Sequence, residues 1–257
     1  MYFKVLACEV AMRELCYTAA RSVNIVDLEF LTQGHHDTPN RGRVDIQQRL
    51  DAIPAAKYDA IVLGYGLCSN ILSGLRSLHT QLVVPRAHDC ITFFLGSKER
   101  YQEHFDANPG TYYYTSGWME CTRRRTAPGQ TNVGMLFPAQ GGISAAYSQW
   151  VTKYGEEKAK ALLEVMGEWT ANYSRGALID FDFTRHLKLR EQVQQVCGER
   201  GWEFTEMAGD IRLFQRLLDG DWRENEVLVV PPGHKIVPAY DVRIIQAEPD
   251  DSTGSGA

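Results

Sequence analysis

The strongest constraint on the fold is a pair of short, unbroken apolar runs, AIVLGYG beginning at Ala60 and QLVVP beginning at Gln81. A strand with one wet face alternates apolar and polar residues, whereas a strand covered on both faces of a parallel sheet is apolar throughout. Each run breaks at glycine or proline and then delivers a cysteine: Cys68 in GYGLCSN and Cys90 in VPRAHDC. The first strand, YFKVLA, leads in the same way to Cys8. Such strands, alternating with segments of helical spacing, specify an α/β fold with an open, mostly parallel, Rossmann-like sheet and helices on both faces.

The order of elements suggests two similar α/β halves. Residues 1–118 form the amino-terminal half. It contains a helix after Cys8, a strand from Ile25 to Thr32, a helix from Val44 to Ile53, a helical spacer after Cys68, and a helical stretch after Cys90 interrupted at Gly96. Asn108-Pro109-Gly110 stops that stretch, and the strand TYYYTSGW follows. Residues 119–147 lack regular periodicity and read as a loop or insertion. Residues 148–247 form the second half, a helix followed by strands near Ala177–Phe183, Trp202–Met207 and Glu226–Val230 with helices between them. Residues 248–257, polar and rich in glycine and serine, read as a disordered tail.

Charge narrows the function classes. A formal net charge of −5 and a pI near 5.8 disfavour nucleic-acid and membrane-surface binding, which need a concentrated basic face. No apolar run approaches the ~20 residues needed to span a bilayer. MYFKVLACEV reads as a core strand, since Lys4 interrupts it and no basic segment precedes it, so a cytoplasmic location is expected. In a reducing compartment, six cysteines are thiols or metal ligands rather than a disulfide framework.

Carboxyl ends of parallel strands share a crevice, and a helix amino terminus there lowers a thiol pKa. Cys8, Cys68 and Cys90, with His88 two residues before the last, therefore form a candidate metal set for zinc. Cys121 as a fourth ligand would shift the preference to an iron–sulfur cluster. Cys16 reads as a core thiol, and Cys197 as a core or surface residue. Gly64, Gly66 and Ser69 precede an expected helix start and could cradle an anion, although no dinucleotide or Walker fingerprint is present. Arg123, first among Arg123-Arg124-Arg125, is a candidate anchor for an anionic substrate, and Glu120 a candidate proton-transfer group. His35 and His36 could line the same crevice from the second strand, but read first as a solvated polar loop.

The H-D-C segment at His88–Cys90, with another cysteine elsewhere, resembles the H-x-C…C zinc ligands of methyltransferases that activate a thiol acceptor for corrinoid-linked methyl transfer. More broadly, LACEV, YDAIVLGYGLCSN, VPRAHDC, FFLGSKERY, NPGTYYYTSGW, GWEFTEMAGDIRLFQRLLDGDW and LVVPPGHKI resemble an uncharacterised bacterial and archaeal family. That resemblance implies an association with corrinoid methyl-transfer gene neighbourhoods. The corrinoid-binding D-x-H-x-x-G pattern is absent, so a corrinoid would be carried by a partner protein. Three readings stand together: a metal-dependent methyltransferase of one-carbon metabolism acting on a thiol or small anion, an iron–sulfur protein, and a non-catalytic module that binds a small molecule.

Overall fold

The structure, a computed structural model, describes residues 1–36, 38–125, 147, 151–152, 154–161 and 172–250. The fold is α/β, with a five-stranded sheet that is mixed but mostly parallel, a separate three-stranded parallel sheet, and helices interleaved between strands. The chain divides into two compact units. One comprises residues 1–102 and 210–257, the other residues 103–209. The compact units thus cut the chain differently from the consecutive halves 1–118 and 148–247: the carboxyl-terminal segment returns to the first unit.

The first unit holds the strands β1 (Tyr2–Cys8), β2 (Ile25–Leu31), β3 (Ala60–Gly64), β4 (Leu82–Pro85) and β8 (Val227–Val230), in the spatial order β2-β1-β3-β4-β8. The first four are parallel, and β8 runs antiparallel along β4, pairing Pro85 with Val227. The shared sequence pattern of VVPRAH and VVPPGH therefore marks two neighbouring strands of opposite direction. Strand pleating sends alternate side chains to opposite faces. On β1 and β3, Leu6, Cys8, Ile61 and Leu63, with Tyr65 just after β3, join one core cluster with Ile46 and Leu50 of helix α2 (Pro39–Asp51). Phe3, Val5, Ala7 and Val62 are buried on the other strand positions. Helices α1 (Met12–Ala19) and α7 (Arg212–Asp219) pack together, α7 burying Leu213, Phe214, Leu217 and Leu218 at helical spacing. Helix α2 begins earlier than its apolar periodicity suggested, because Pro39 suits a first helical turn.

Beyond β8 the chain forms an antiparallel pair, β9 (His234–Pro238) and β10 (Ile245–Pro249), where sequence periodicity had placed no strand and, from residue 248, a tail. Buried Arg86 anchors this segment. Its Nε donates to the Glu224 carbonyl at 2.7 Å, and its Nη1 donates to the carbonyls of Arg243 and Ile245 at 2.8 and 2.5 Å. Residues 251–257 lie outside the described residues.

In the second unit β5 (Thr111–Tyr114), β6 (Arg175–Asp180) and β7 (Glu203–Ala208) form a parallel sheet in that order. Tyr112, Tyr114, Leu178, Leu189, Val193, Val196 and Cys197 build its core, the last four from helix α6 (Leu189–Arg200). The chain enters this unit within helix α4 (Lys98–Ala107), which follows the short helix α3 (Ile91–Leu95) after a left-handed break at Gly96. Helix α5 (Ser116–Arg125) occupies the start of the stretch expected to be irregular. Most of the remaining expected insertion, and of the helix expected near 148–173, lies outside the described residues. Among the described residues, no helix is long and apolar enough to cross a membrane.

Candidate functional site

In the first unit β1, β3 and β4 lie side by side in parallel, so their carboxyl ends reach one edge of the sheet. Cys8 is the last residue of β1, while Cys68 and Cys90 follow shortly after β3 and β4. The segments beyond β3 and β4 stay joined. Leu67 N–H donates to the Ala87 carbonyl at 2.8 Å, and Cys68 N–H donates to the His88 carbonyl at 2.9 Å. Gly66 permits this approach, since a Cβ there would stand 2.7 Å from Asp89 Cα. Asp89 then fixes the start of α3: one carboxylate oxygen accepts the Ile91 N–H at 2.9 Å and the other accepts the Tyr101 hydroxyl at 3.0 Å.

Cys68 does not begin a helix. Cys68, Ser69 and Asn70 have φ values of 37°, 57° and 65°, three consecutive non-glycine residues in the left-handed region. That conformation costs an L-residue of order 1–2 kcal/mol, and such strain persists only where the surroundings hold it. Here Ile71 N–H donates to the Leu67 carbonyl at 2.9 Å, and Arg43 Nη2 from α2 donates to the Asn70 carbonyl at 3.0 Å. The expected helical spacer is a series of turns.

The thiols shift opposite to the helix-terminus expectation. Burial, reinforced by the nearby Asp89 charge, pushes the Cys68 thiol up to about 12, although the N–H groups of Cys90 and Gly66 pull the other way. Burial also raises the Cys90 thiol, with further upward contributions from Cys68, Asp89 and Cys8. The reason is physical: α3 has five residues and no helix starts at Cys68, so little dipole is available to offset the loss of water. The mutual influence of these groups places Cys8, Cys68 and Cys90 in one neighbourhood. Without a cation, Cys68 and Cys90 are neutral at physiological pH.

The other anticipated residues distribute differently. His88 is exposed. Cys121 is fully buried on α5 of the second unit, and Glu120 is half-buried on the same helix. Arg123 belongs to α5, but its side chain lies outside the described residues. Among the described residues, no group of three or more His, Cys, Asp or Glu side chains is arranged to hold a metal ion. The set Cys8, Cys68, His88, Cys90 and Cys121 therefore does not stand as a preformed centre. Gly64 answers a packing demand, as a Cβ there would come 2.6 Å from Ala7 Cβ on the neighbouring strand. Gly66 is likewise filled by protein, and Ser69 is exposed on the left-handed turn.

Three further groups stand out in this unit, and one of them, His35, is buried rather than solvated as first expected. Tyr65, His35 and Arg43 each carry a buried polar atom without a hydrogen-bond partner among the described residues: the hydroxyl, Nδ1 and Nε respectively. His35 is engaged at its other nitrogen, Nε2, which lies 2.9 Å from Asp45 Oδ2. The signal for Tyr65 was available in the alternation of β3, which puts it on the Cys8 and Leu63 face. His35 was legible only as one of two adjacent histidines that could line the crevice, and Arg43 was not legible, because its place depends on how α2 docks.

The comparisons with known proteins agree with this picture of a fold without an assigned reaction. No curated protein and no solved structure matched the chain. A family model described as "Protein of unknown function (DUF1638)" matches residues 30–218, well over half of the chain and including the edge that carries Cys68 and Cys90. The protein belongs to the DUF1638 family.

Proposed function

We propose that the carboxyl edge of the five-stranded sheet binds a soft metal ion through Cys8, Cys68 and Cys90, and that the protein acts in one-carbon or methyl-group metabolism. The observation that carries this reading is the delivery of one cysteine from each of three adjacent parallel strands to a single edge. Neutral, raised-pKa thiols are poor nucleophiles by themselves, and a cation is the partner that would ionise them. Sulfur donors select a soft ion. Since the side chains are not in ligating positions as they stand, binding requires thiol rotation toward the ion. Three protein sulfurs would leave a coordination position for an exogenous thiol or small anion, and a bound metal would lower the pKa of that thiol for methyl transfer. The sequence resemblance noted above implies an association with corrinoid-linked methyl transfer, and this choice of chemistry follows that implication, with the corrinoid on a partner protein.

An iron–sulfur cluster is less well served, because it commonly takes four thiolates and this edge carries three cysteines. Elemental analysis of protein purified without oxygen tests the reading. Zinc or another soft ion should be present stoichiometrically, lost from Cys68→Ala and Cys90→Ala, and retained by Cys197→Ala. Full metal content in Cys68→Ala would remove the proposal. Iron with acid-labile sulfide and visible absorption would favour the cluster, and metal-free protein that still binds small molecules would favour a non-catalytic module.

A further inference from the structure

The structure assigns a second binding element at this edge: Arg43, Tyr65 and His35 form a subsite for a small carboxylate that also carries a hydroxyl or amino group. This subsite does not depend on a metal. Tyr65 and His35 are only 4% and 6% exposed, and the Tyr65 hydroxyl, His35 Nδ1 and Arg43 Nε are buried without partners among the described residues. A buried polar group left unmade costs of order 1–3 kcal/mol, so three beside one turn call for a shared occupant.

Packing draws the three together. A Cβ on Gly42 would stand 2.6 Å from His35 Cβ and 2.7 Å from Ile71 Cδ1, so the first turns of α2 press against both the His35 turn and the segment after Cys68. Arg43, the next residue, reaches the Asn70 carbonyl with Nη2, leaving Nε–H as a donor. Tyr65 shares a core cluster with Ile46 and Ile71, and its hydroxyl pKa is raised by burial and then by Cys8 and Cys68.

The donor pattern selects the ligand. Arg43 Nε–H and the Tyr65 hydroxyl offer two donors to two carboxylate oxygens. The His35 Nε2–H donates to Asp45, which leaves Nδ1 as an acceptor for a ligand O–H or N–H. One guanidinium, with Glu9 and Glu29 close enough to influence Tyr65, matches a monoanion better than a phosphate dianion.

Thermal melts of the full chain in glycolate, acetate and inorganic phosphate, at matched ionic strength, test this. Glycolate should raise the melting temperature most, acetate less and phosphate least. Arg43→Gln should weaken glycolate binding by about tenfold or more, the loss of one charge-assisted hydrogen bond. Tyr65→Phe should melt no lower than wild type without ligand, because it deletes an unpartnered hydroxyl, yet respond more weakly to glycolate. The inference is overturned if glycolate acts no more strongly than acetate, if phosphate acts most, or if Arg43→Gln responds like wild type. Should Arg43→Gln fail to fold, an unchanged glycolate response in Tyr65→Phe overturns it. The melts are run on protein of known metal content, so that a metal-free protein with this response would refute the metal reading alone.

Discussion

The two larger sheets of this protein treat cysteine in opposite ways. In the second unit Cys197 sits within α6 and fills the core, its Sγ occupying the space that a Cβ on Gly176 would need. Cys121, on α5, is also fully buried. In the first unit Cys8, Cys68 and Cys90 lie at or beyond strand ends, half-buried and within electrostatic reach of one another. Inside a helix, a thiol facing the sheet is one more small apolar group. Past the end of a strand the backbone no longer pairs regularly, so side chains from neighbouring strands can meet without being packed away. Position relative to the strand ends, rather than residue type, separates candidate chemistry from packing.

The largest expected effect concerns what keeps the first unit together. Arg86→Ala would strip the shared donor from the Glu224, Arg243 and Ile245 carbonyls and should cost about 3–5 kcal/mol in urea unfolding. Amide exchange should increase first in β9 and β10. A loss below about 1 kcal/mol would show that Ile236, Ile244 and Ile245 hold the segment by apolar burial alone.

The contrast between the cysteines can be broken directly. Gly176→Ala should destabilise by about 1–3 kcal/mol through overpacking against Cys197 Sγ. Adding Cys197→Ala vacates that space, so the double variant should recover about 1 kcal/mol relative to additivity. Strict additivity would mean that Cys197 is not the obstacle. Cys68→Ala, at a half-buried position, should cost less than Cys197→Ala.

A smaller effect appears at high pH. The Cys68 thiol ionises near 9.0 in the unfolded chain and near 12 in the folded one, so the native state retains a proton that the unfolded state loses. Its contribution is complete below pH 9 and falls away as pH rises toward 12. Stability measured across that range should decline less steeply in Cys68→Ala, and identical slopes would contradict the shift. The smallest effect belongs to the Arg175–Glu203 pair on β6 and β7, whose Glu203 end is largely exposed. Arg175→Ala should change stability by less than about 1 kcal/mol, and salt should narrow the difference.

Some of this organisation was readable along the chain. AIVLG and LVVP emerge as β3 and β4 at nearly the expected limits because continuous apolar runs have few alternatives to burial on both faces. The Gly96 break was equally legible, and it has φ 81° between α3 and α4. The turn at Cys68–Asn70 was not. Nothing in LCSN demands three left-handed residues, and their stabilising bonds come from Ala87, His88 and Arg43, distant in sequence. The same limit applied to β9 and β10, whose mixed sequences become ordered through each other and through Arg86.

Local pattern, then, determined by itself the α/β class and the arrival of Cys8, Cys68 and Cys90 at strand ends, because periodicity and chain breaks act over a few residues. Tertiary structure alone decided that β8 turns back along β4, that Cys121 packs in another unit, that burial raises the thiols' pKa values, and that Tyr65, His35 and Arg43 each keep a buried polar atom without a partner among the described residues. These outcomes depend on which surfaces lose water together, and that is a property of the docked elements rather than of any stretch of sequence.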